Sequence, residues 1–132
     1  MAKTYSIGAF ARAAGVGVET VRYYERRKLL VQPPRRHGSI RRYGDAELGR
    51  LRFIKRAQAA GFRLDEVDAL IRSQKGQPCI DTRALASAKL GEVEARLADL
   101  LRLRDELREW VSQCDSNEDK SCCPVLDALG NN

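Results

Sequence analysis

The segment from Asp81 to Val111 constrains the fold most, because it has the pattern of one long amphipathic helix. It contains no proline and a single glycine, and it is rich in charged residues. Apolar residues recur along it in steps of three and four, interrupted by Arg104. We call this series the apolar stripe: Leu90, Val93, Leu97, Leu100, Leu107 and Val111. Such spacing is typical of a coiled-coil seam.

The apolar stripe requires a partner. A helix over these 31 residues is about 46 Å long and cannot bury a stripe of that length by itself. The simplest partner is the same helix in a second chain, which predicts a homodimer. Packing of the helix against its own N-terminal region is the alternative, since one amphipathic helix can also complete a globular core.

The charges of the chain are divided unevenly along its length. Residues 1–60 hold 14 Lys or Arg against 4 Asp or Glu, a balance of +10, whereas residues 61–132 hold 10 against 14, a balance of −4. A basic half of this kind favours a polyanionic partner, because neutralising phosphates releases counterions. Double-stranded DNA is the expected partner, and a merely solvated basic surface is the alternative.

Two short helical patterns around a glycine indicate a helix-turn-helix. Ser6 is a plausible N-cap, and the periodic apolar residues that follow it stop at Gly15. A second run begins near Val18 and ends in RYYERRKLL. As a recognition helix, it would direct three residues towards base edges or phosphates: Thr20, Arg22 and Tyr23. A generic helical hairpin is the alternative.

The next stretch, VQPPRRHGSIRRYGD, predicts a small β wing. Its two prolines prevent a helix, and Gly38 allows a tight turn between extended pieces. The candidate DNA-contacting residues on its cationic edge are Arg35, Arg36, Arg41, Arg42 and Tyr43. His37 has no cysteine near it in sequence, so we assign it to the turn rather than to a metal.

Two further helices should close the core of the N-terminal domain. One is capped by Asp45 and ends at Gly61, and the other runs from about Asp65 to Ser73. Basic residues on the first helix, among them Arg52 and Lys55, are expected in part to extend the basic face. The predicted fold class is therefore all-α with a small β wing. Its predicted domains are a winged helix-turn-helix at residues 1–75, a first metal ligand with the dimerisation helix at 76–112, and a metal-binding loop with a short C-terminal helix at 113–132.

The cysteines point to thiol chemistry. The N-terminus lacks a signal-peptide pattern and no apolar run is long enough to cross a bilayer, which predicts a cytoplasmic protein without membrane contact. In a reducing compartment, four cysteines favour metal ligation or redox chemistry over a disulfide framework. Cys79 precedes the predicted long helix and Cys114 follows it, so one chain holds them too far apart for one ion. An antiparallel dimer would bring Cys79 of one subunit beside the loop of the other.

Three motifs, SIGAFARAAGVGVETVRYYERRKLL, GSIRRYGD and FIKRAQAAGFRLDEV, resemble in order and spacing the MerR-type transcription regulators. The resemblance implies a homodimer with an antiparallel coiled coil that binds promoter DNA. It also implies that the effector-bound state distorts the promoter so that RNA polymerase can use it, which converts repression into activation.

The positions of Cys79, Cys114 and Cys123, with Pro124 after the last, resemble the mercury-responsive branch. That resemblance implies three thiolates on one Hg(II), since soft ligands favour soft ions. Cd(II), Pb(II) and Zn(II) remain alternative effectors, with Zn(II) needing carboxylates such as that of Asp115. Cys122 departs from the family pattern, and we interpret it as a bystander or an accessory thiol.

Three other classes of function make different demands on the sequence. A thiol redox sensor would use the same cysteines as a disulfide pair and would respond to oxidants without metal. A drug sensor would need more than the roughly twenty residues after Val111 for a ligand-binding domain. No nucleophile–base pair, phosphate loop or paired-acid motif is evident, so we predict that the protein is not an enzyme.

Overall fold

The computed structural model describes residues 3–35 and 40–130. Within these residues the chain is mostly helical, as the sequence predicts. The helices are α1 (Ile7–Ala13), α2 (Val18–Arg26), α3 (Asp45–Ala59), α4 (Leu64–Ser73), α5 (Pro78–Ser116) and α6 (Pro124–Gly130).

Helices α1 and α2 form the predicted helix-turn-helix. The hydroxyl of Ser6 accepts a hydrogen bond from the Ala9 N–H at 3.3 Å and so caps α1. Gly15 ends the turn with φ at +70°, a left-handed conformation that glycine adopts without steric cost. Phe10 on α1 and Val21 on α2 are fully buried between the helices and the rest of the core.

Helices α3 and α4 complete this core. The periodic apolar residues of α3 predict its buried face, which is confirmed at Leu48, Leu51 and Ile54, whereas Phe53 and Ala57 are only partly buried. Gly44 rather than Asp45 is the N-cap of α3. Helix α4 begins at Leu64 although Arg63 is a poor cap. The Arg63 N–H donates to the Glu66 carboxylate at 2.8 Å, and this bond satisfies one of the free amides at the helix start.

The wing contains little regular strand. Among the described residues, the β structure is one antiparallel bridge between Tyr5 and Tyr43, with both N–H···O distances at 2.8 Å. The predicted turn, including Arg36, His37 and Gly38, lies outside the described residues. The wing therefore returns to the domain by pairing with the segment in front of α1.

Helix α5 is longer than the sequence indicates. It spans 39 residues, so Cys79 lies in its first turn and Cys114 in its last, rather than outside it as predicted. The apolar stripe is exposed along its length, with exposed fractions between 46% at Leu107 and 61% at Leu100. No helix of the described residues is long and apolar enough to cross a membrane.

The chain divides into two compact units, residues 1–85 and 86–132. The first contains the helix-turn-helix, the wing and the start of α5. The second contains most of α5, the loop after it and α6.

Candidate functional site

Helix α2 presents the residues expected of a recognition helix. Arg22 and Tyr23 are exposed and Thr20 is half-buried, whereas Val21 and Tyr24 on the opposite face are buried. The hydroxyl of Tyr24 donates to the side-chain carbonyl of Gln58 on α3, which fixes the helix from behind. Burial, together with the charge of Tyr23, raises the pKa of Tyr24. The outward face of α2 is therefore held in position by its inward face.

Tyr43 was predicted to contact DNA, and the structure corrects this. Its side chain is only 1% exposed, its ring stacks on Phe10 with 4.2 Å between centroids, and its hydroxyl donates to Glu25 at 3.0 Å. Burial, followed by the hydrogen bond and the negative charge of Glu25, raises the pKa of Tyr43 to about 12. Tyr43 is thus a core residue that joins the wing to α2.

Basic side chains from α2 and the wing line a common cavity of about 250 Å³. Arg22 comes from α2, and Arg35 and Arg41 come from the two sides of the wing. The other lining residues are Ile7, Gln32, Ile40 and Tyr43. The Nε atom of Arg41 is buried and has no hydrogen-bond partner within the described structure. Guanidinium groups converging on an open cavity suit a phosphate oxygen. Arg42 lines a separate groove beside Pro33 and Pro34.

Two further cations belong to this surface but were not among the predicted site residues. The guanidinium carbons of Arg26 and Arg27 lie 5.8 Å and 5.7 Å from the centre of the Tyr23 ring, and Arg27 Nη1 donates to the Tyr23 hydroxyl at 2.9 Å. The run YYERRK immediately after Arg22 is the signal that could have revealed them, because residues three and four apart share a helix face.

Lys55, by contrast, does not simply extend the basic face. Its Nζ donates to the carbonyl oxygens of Ala14 at 2.9 Å and Gly15 at 3.1 Å, and Arg52 donates to that of Ala13 at 3.4 Å. These carbonyls lie at the C-terminal end of α1, where a cation is favourable for the helix dipole. Lys55 and Arg52 therefore hold the turn that sets α2 relative to α1.

The four cysteines are all free thiols. Cys79 is exposed, and Cys114 and Cys123 are partly buried. Cys122 is exposed, and its thiol lies 3.5 Å from an Asp119 carboxylate oxygen. Hydrogen bonds from the side chain and then the backbone of Ser121, followed by the Cys122 thiol, lower the pKa of Asp119.

The loop between α5 and α6 is closed by one side chain. The Asn117 amide nitrogen donates to the carbonyl oxygens of Asp119 at 2.8 Å and Cys122 at 2.7 Å. Lys120 adds a contact from Nζ to the carbonyl of Cys114 at 3.3 Å. These bonds fix the backbone on the N-terminal side of the cysteine pair, between Cys114 and Cys122.

No three His, Cys, Asp or Glu side chains within residues 3–35 and 40–130 of this single chain are grouped closely enough to hold a metal ion. Cys79 lies in the first unit, whereas Cys114, Cys122 and Cys123 lie in the second. The predicted ligands Cys79, Cys114 and Cys123 are therefore not assembled into a metal-binding group by the described chain.

A helix-turn-helix with a basic outward face, followed by a long helix with an exposed apolar stripe, defines the class of helix-turn-helix transcription regulators. Residues 5–74 match the family model described as "MerR HTH family regulatory protein", and residues 48–110 match the model "MerR, DNA binding". The chain belongs to the MerR family of DNA-binding transcription regulators, as its motifs indicate, and it is not an enzyme.

Curated relatives support this placement. The chain is 45% identical over 124 residues to a mercuric resistance operon regulatory protein from Pseudomonas fluorescens, covering 94% of this chain and 86% of the relative. It is 32% identical over 129 residues to the HTH-type transcriptional regulator ZntR of Escherichia coli K12, covering 95% and 92%.

Two solved structures also resemble the chain. One is a transcription regulator from Ralstonia metallidurans CH34 in complex with lead(II), at 33% identity and a TM-score of 0.78, covering 98% of this chain and 99% of that one. The other is the regulator MerR from Bacillus megaterium MB1 in complex with mercury(II), at 32% identity and a TM-score of 0.77, covering 96% and 100%.

Proposed function

We propose that this protein is a homodimeric, metal-responsive regulator that senses Hg(II) through Cys79 of one subunit and Cys114 and Cys123 of the other. The observation that carries the proposal is the position of two cysteines on α5. Cys79 lies in its first turn and Cys114 in its last, and no three possible ligands are grouped within the described residues of one chain. Metal–sulfur bonds are only about 2.3 Å long for a thiophilic ion such as zinc, so the thiolates of one ion must lie close together, and in this proposal they come from two subunits.

The exposed apolar stripe supports the dimer. Leu97 and Leu100 are 54% and 61% exposed near the middle of α5, and leaving such a stripe in water is unfavourable. A second α5 running antiparallel would cover the stripe and align the first turn of one helix with the last turn of its copy. One arrangement would then bury the stripe and complete two identical thiolate sites.

The donor set fits Hg(II). Three free thiols with no histidine near them in the sequence provide soft ligands, and thiolates select soft ions over hard ones. The relative from Pseudomonas fluorescens is named for mercuric resistance, and the Bacillus megaterium structure contains mercury(II). When bound, the ion would join two subunits and so favour one relative arrangement of them.

The DNA-binding surface supports a regulator that acts on duplex shape. In this proposal Arg22, Arg35 and Arg41 bind the phosphate backbone at each half-site, while Thr20 and Tyr23 approach the bases. A change in the distance or angle between the two domains would twist the intervening promoter, which RNA polymerase would read as a change in promoter geometry.

Mixed dimers test the shared site. In a Cys79→Ser chain paired with a Cys114→Ser chain, one site loses two ligands and the other keeps all three. Random mixing should therefore restore about a quarter of the wild-type Hg(II) capacity, whereas neither variant alone should retain a three-thiolate site. Mixing Cys114→Ser with Cys123→Ser chains is the matched control and should restore none. Equal recovery in both mixtures would contradict the proposed partition of ligands.

A second effector is supported by the lead(II)-bound structure, which is as similar to the chain as the mercury(II)-bound one. Cys122 and Asp119 lie together and offer extra donors for Pb(II), Cd(II) or Zn(II). Titrating the fully reduced protein with each ion against a competing small thiol, while following thiolate-to-metal absorption, would distinguish them. Preferential uptake of Hg(II) supports the first proposal, and stronger binding of another ion supports the second.

A further inference from the structure

Ser73 places a buried hydroxyl at the end of α4. Ser73 is 7% exposed, and its Oγ donates to the Leu70 carbonyl at 2.6 Å. The same Oγ lies 3.2 Å from the hydroxyl oxygen of Thr82 on α5. A serine hydroxyl has one hydrogen, and here the Leu70 carbonyl takes it. The Thr82 hydroxyl is therefore the donor in the second bond, and Ser73 the acceptor.

This second bond crosses the linker between two helices. Helix α4 ends at Ser73 and α5 begins at Pro78, and the residues between them are exposed. Thr82 follows Cys79 by three residues, so both side chains lie on one side of α5. The contact thus ties the turn that carries Cys79 to the last residue of α4.

Helix α4 is itself anchored in the DNA-binding unit. Val67 is fully buried and Ile71 is 9% exposed, and both belong to the core that also contains α1, α2 and α3. A movement of the first turn of α5 would therefore reach the DNA-binding core through Thr82 and Ser73. Without that bond, the exposed linker could absorb much of the movement.

We propose that Ser73 and Thr82 form a positioning pair that couples metal binding at Cys79 to the DNA-binding unit. This inference rests on the proposed function, because it needs Cys79 to be a ligand. Neither hydroxyl contacts the metal or the DNA in this account. The pair acts by making the two events energetically dependent on each other, and such a dependence is reciprocal.

The experiment measures that dependence in the full-length protein. The dissociation constant for Hg(II) is measured by thiol competition, first without DNA and then with a saturating duplex that the metal-free wild type has selected from a random-sequence library. The ratio of the two constants is the coupling factor. Thr82→Val keeps the shape of the side chain and removes the donor, whereas Thr82→Ser keeps the donor and is the matched control.

We expect Thr82→Val to move the coupling factor about fivefold towards one, the effect of losing a single hydrogen bond, and Thr82→Ser to keep the wild-type factor. Ser73→Ala should resemble Thr82→Val, and combining the two should add little. Hg(II) affinity without DNA should stay within about twofold of wild type in all of them.

Three results would overturn the inference. They are an unchanged coupling factor in Thr82→Val, an equal loss in Thr82→Ser, or a loss of Hg(II) affinity without DNA, which would place the pair in the metal site itself. Failure of the proposed function looks different, because the wild type would then fail to bind Hg(II) through its cysteines at all.

Discussion

Raising the pH should weaken the N-terminal unit through Tyr43. The pKa of Tyr43 is raised from 10.0 to about 12, first by burial and then by the Glu25 carboxylate. The folded state therefore favours the neutral phenol. The neutral phenol stabilises the folded state in full below pH 10. This contribution to the free energy of unfolding is lost as the pH rises towards 12, because the unfolded chain releases the phenol proton at a lower pH than the folded chain does.

The size of the effect follows from the two pKa values. With about 1.36 kcal/mol per pH unit, the loss is about 1.4 kcal/mol at pH 11 and approaches about 2.7 kcal/mol above pH 12. Tyr43→Phe removes the titrating hydroxyl and keeps the ring that stacks on Phe10. At pH 8 the variant should be less stable than wild type by about 1–2 kcal/mol, the contribution of a hydrogen bond to a partly buried carboxylate.

Urea unfolding at fixed protomer concentration, with reductant, at about pH 8 and pH 11 measures the difference between the two proteins. We expect that difference to shrink by about 1.4 kcal/mol over this range. Glu25→Gln keeps an acceptor but removes the charge, so the pH dependence should become smaller without vanishing, since burial is the largest cause. A difference between wild type and Tyr43→Phe that is constant from pH 8 to 11 would refute the reasoning.

Three further predictions concern the loop, the apolar stripe and the DNA surface. Asn117→Ala should weaken Hg(II) binding about tenfold, because the loop between the proposed ligands Cys114 and Cys123 loses the hydrogen bonds from the Asn117 side chain to the Asp119 and Cys122 carbonyls, while Ser116→Ala serves as control; thiol competition measures both. Leu97→Lys should convert the dimer to monomers in sedimentation experiments, whereas Ala98→Lys, one position off the apolar stripe, should not; monomeric wild type would contradict this. Arg22→Ala should weaken duplex binding and reduce the salt slope by about 0.9, with Arg102→Ala on α5 as control, and an unchanged slope would exclude a phosphate contact.

The sequence predicted the elements that depend on local signals. Ser6 and Gly15 mark the ends of α1 through capping and a left-handed backbone, and both signals are carried by single residue types. The buried face of α3 and the exposed stripe of α5 follow from periodicity alone. The resemblance to the MerR family was also evident from the motifs between Ser6 and Val67.

Contacts between distant residues could not be predicted in the same way. Tyr43 stands among arginines, as a DNA-contacting aromatic residue would, yet it pairs with Tyr5 and is buried on Phe10. Lys55 has the sequence context of a surface cation, and only the packing of α3 against α1 brings it to the Ala14 carbonyl. Periodicity assigns a residue to a face but does not identify the partner on that face.

The ends of α5 lead to a final prediction about the dimer. If two α5 helices run antiparallel, lengthening both by one heptad keeps the seam in phase and keeps each first turn opposite a last turn. Duplicating residues 97–103 should therefore preserve Hg(II) binding while it moves the two DNA-binding units apart by about 10 Å, the length of a heptad. Affinity for the wild-type duplex should fall although the metal site persists.

Inserting one alanine after Leu103 is the matched control, because it rotates Cys114 by about 100° relative to the seam. This variant should lose three-thiolate binding of Hg(II), although it adds far less length. In a parallel dimer Cys79 would stay far from Cys114 with or without either insertion. Loss of Hg(II) binding in the heptad variant, or its retention in the alanine variant, would therefore contradict a site formed across antiparallel helices.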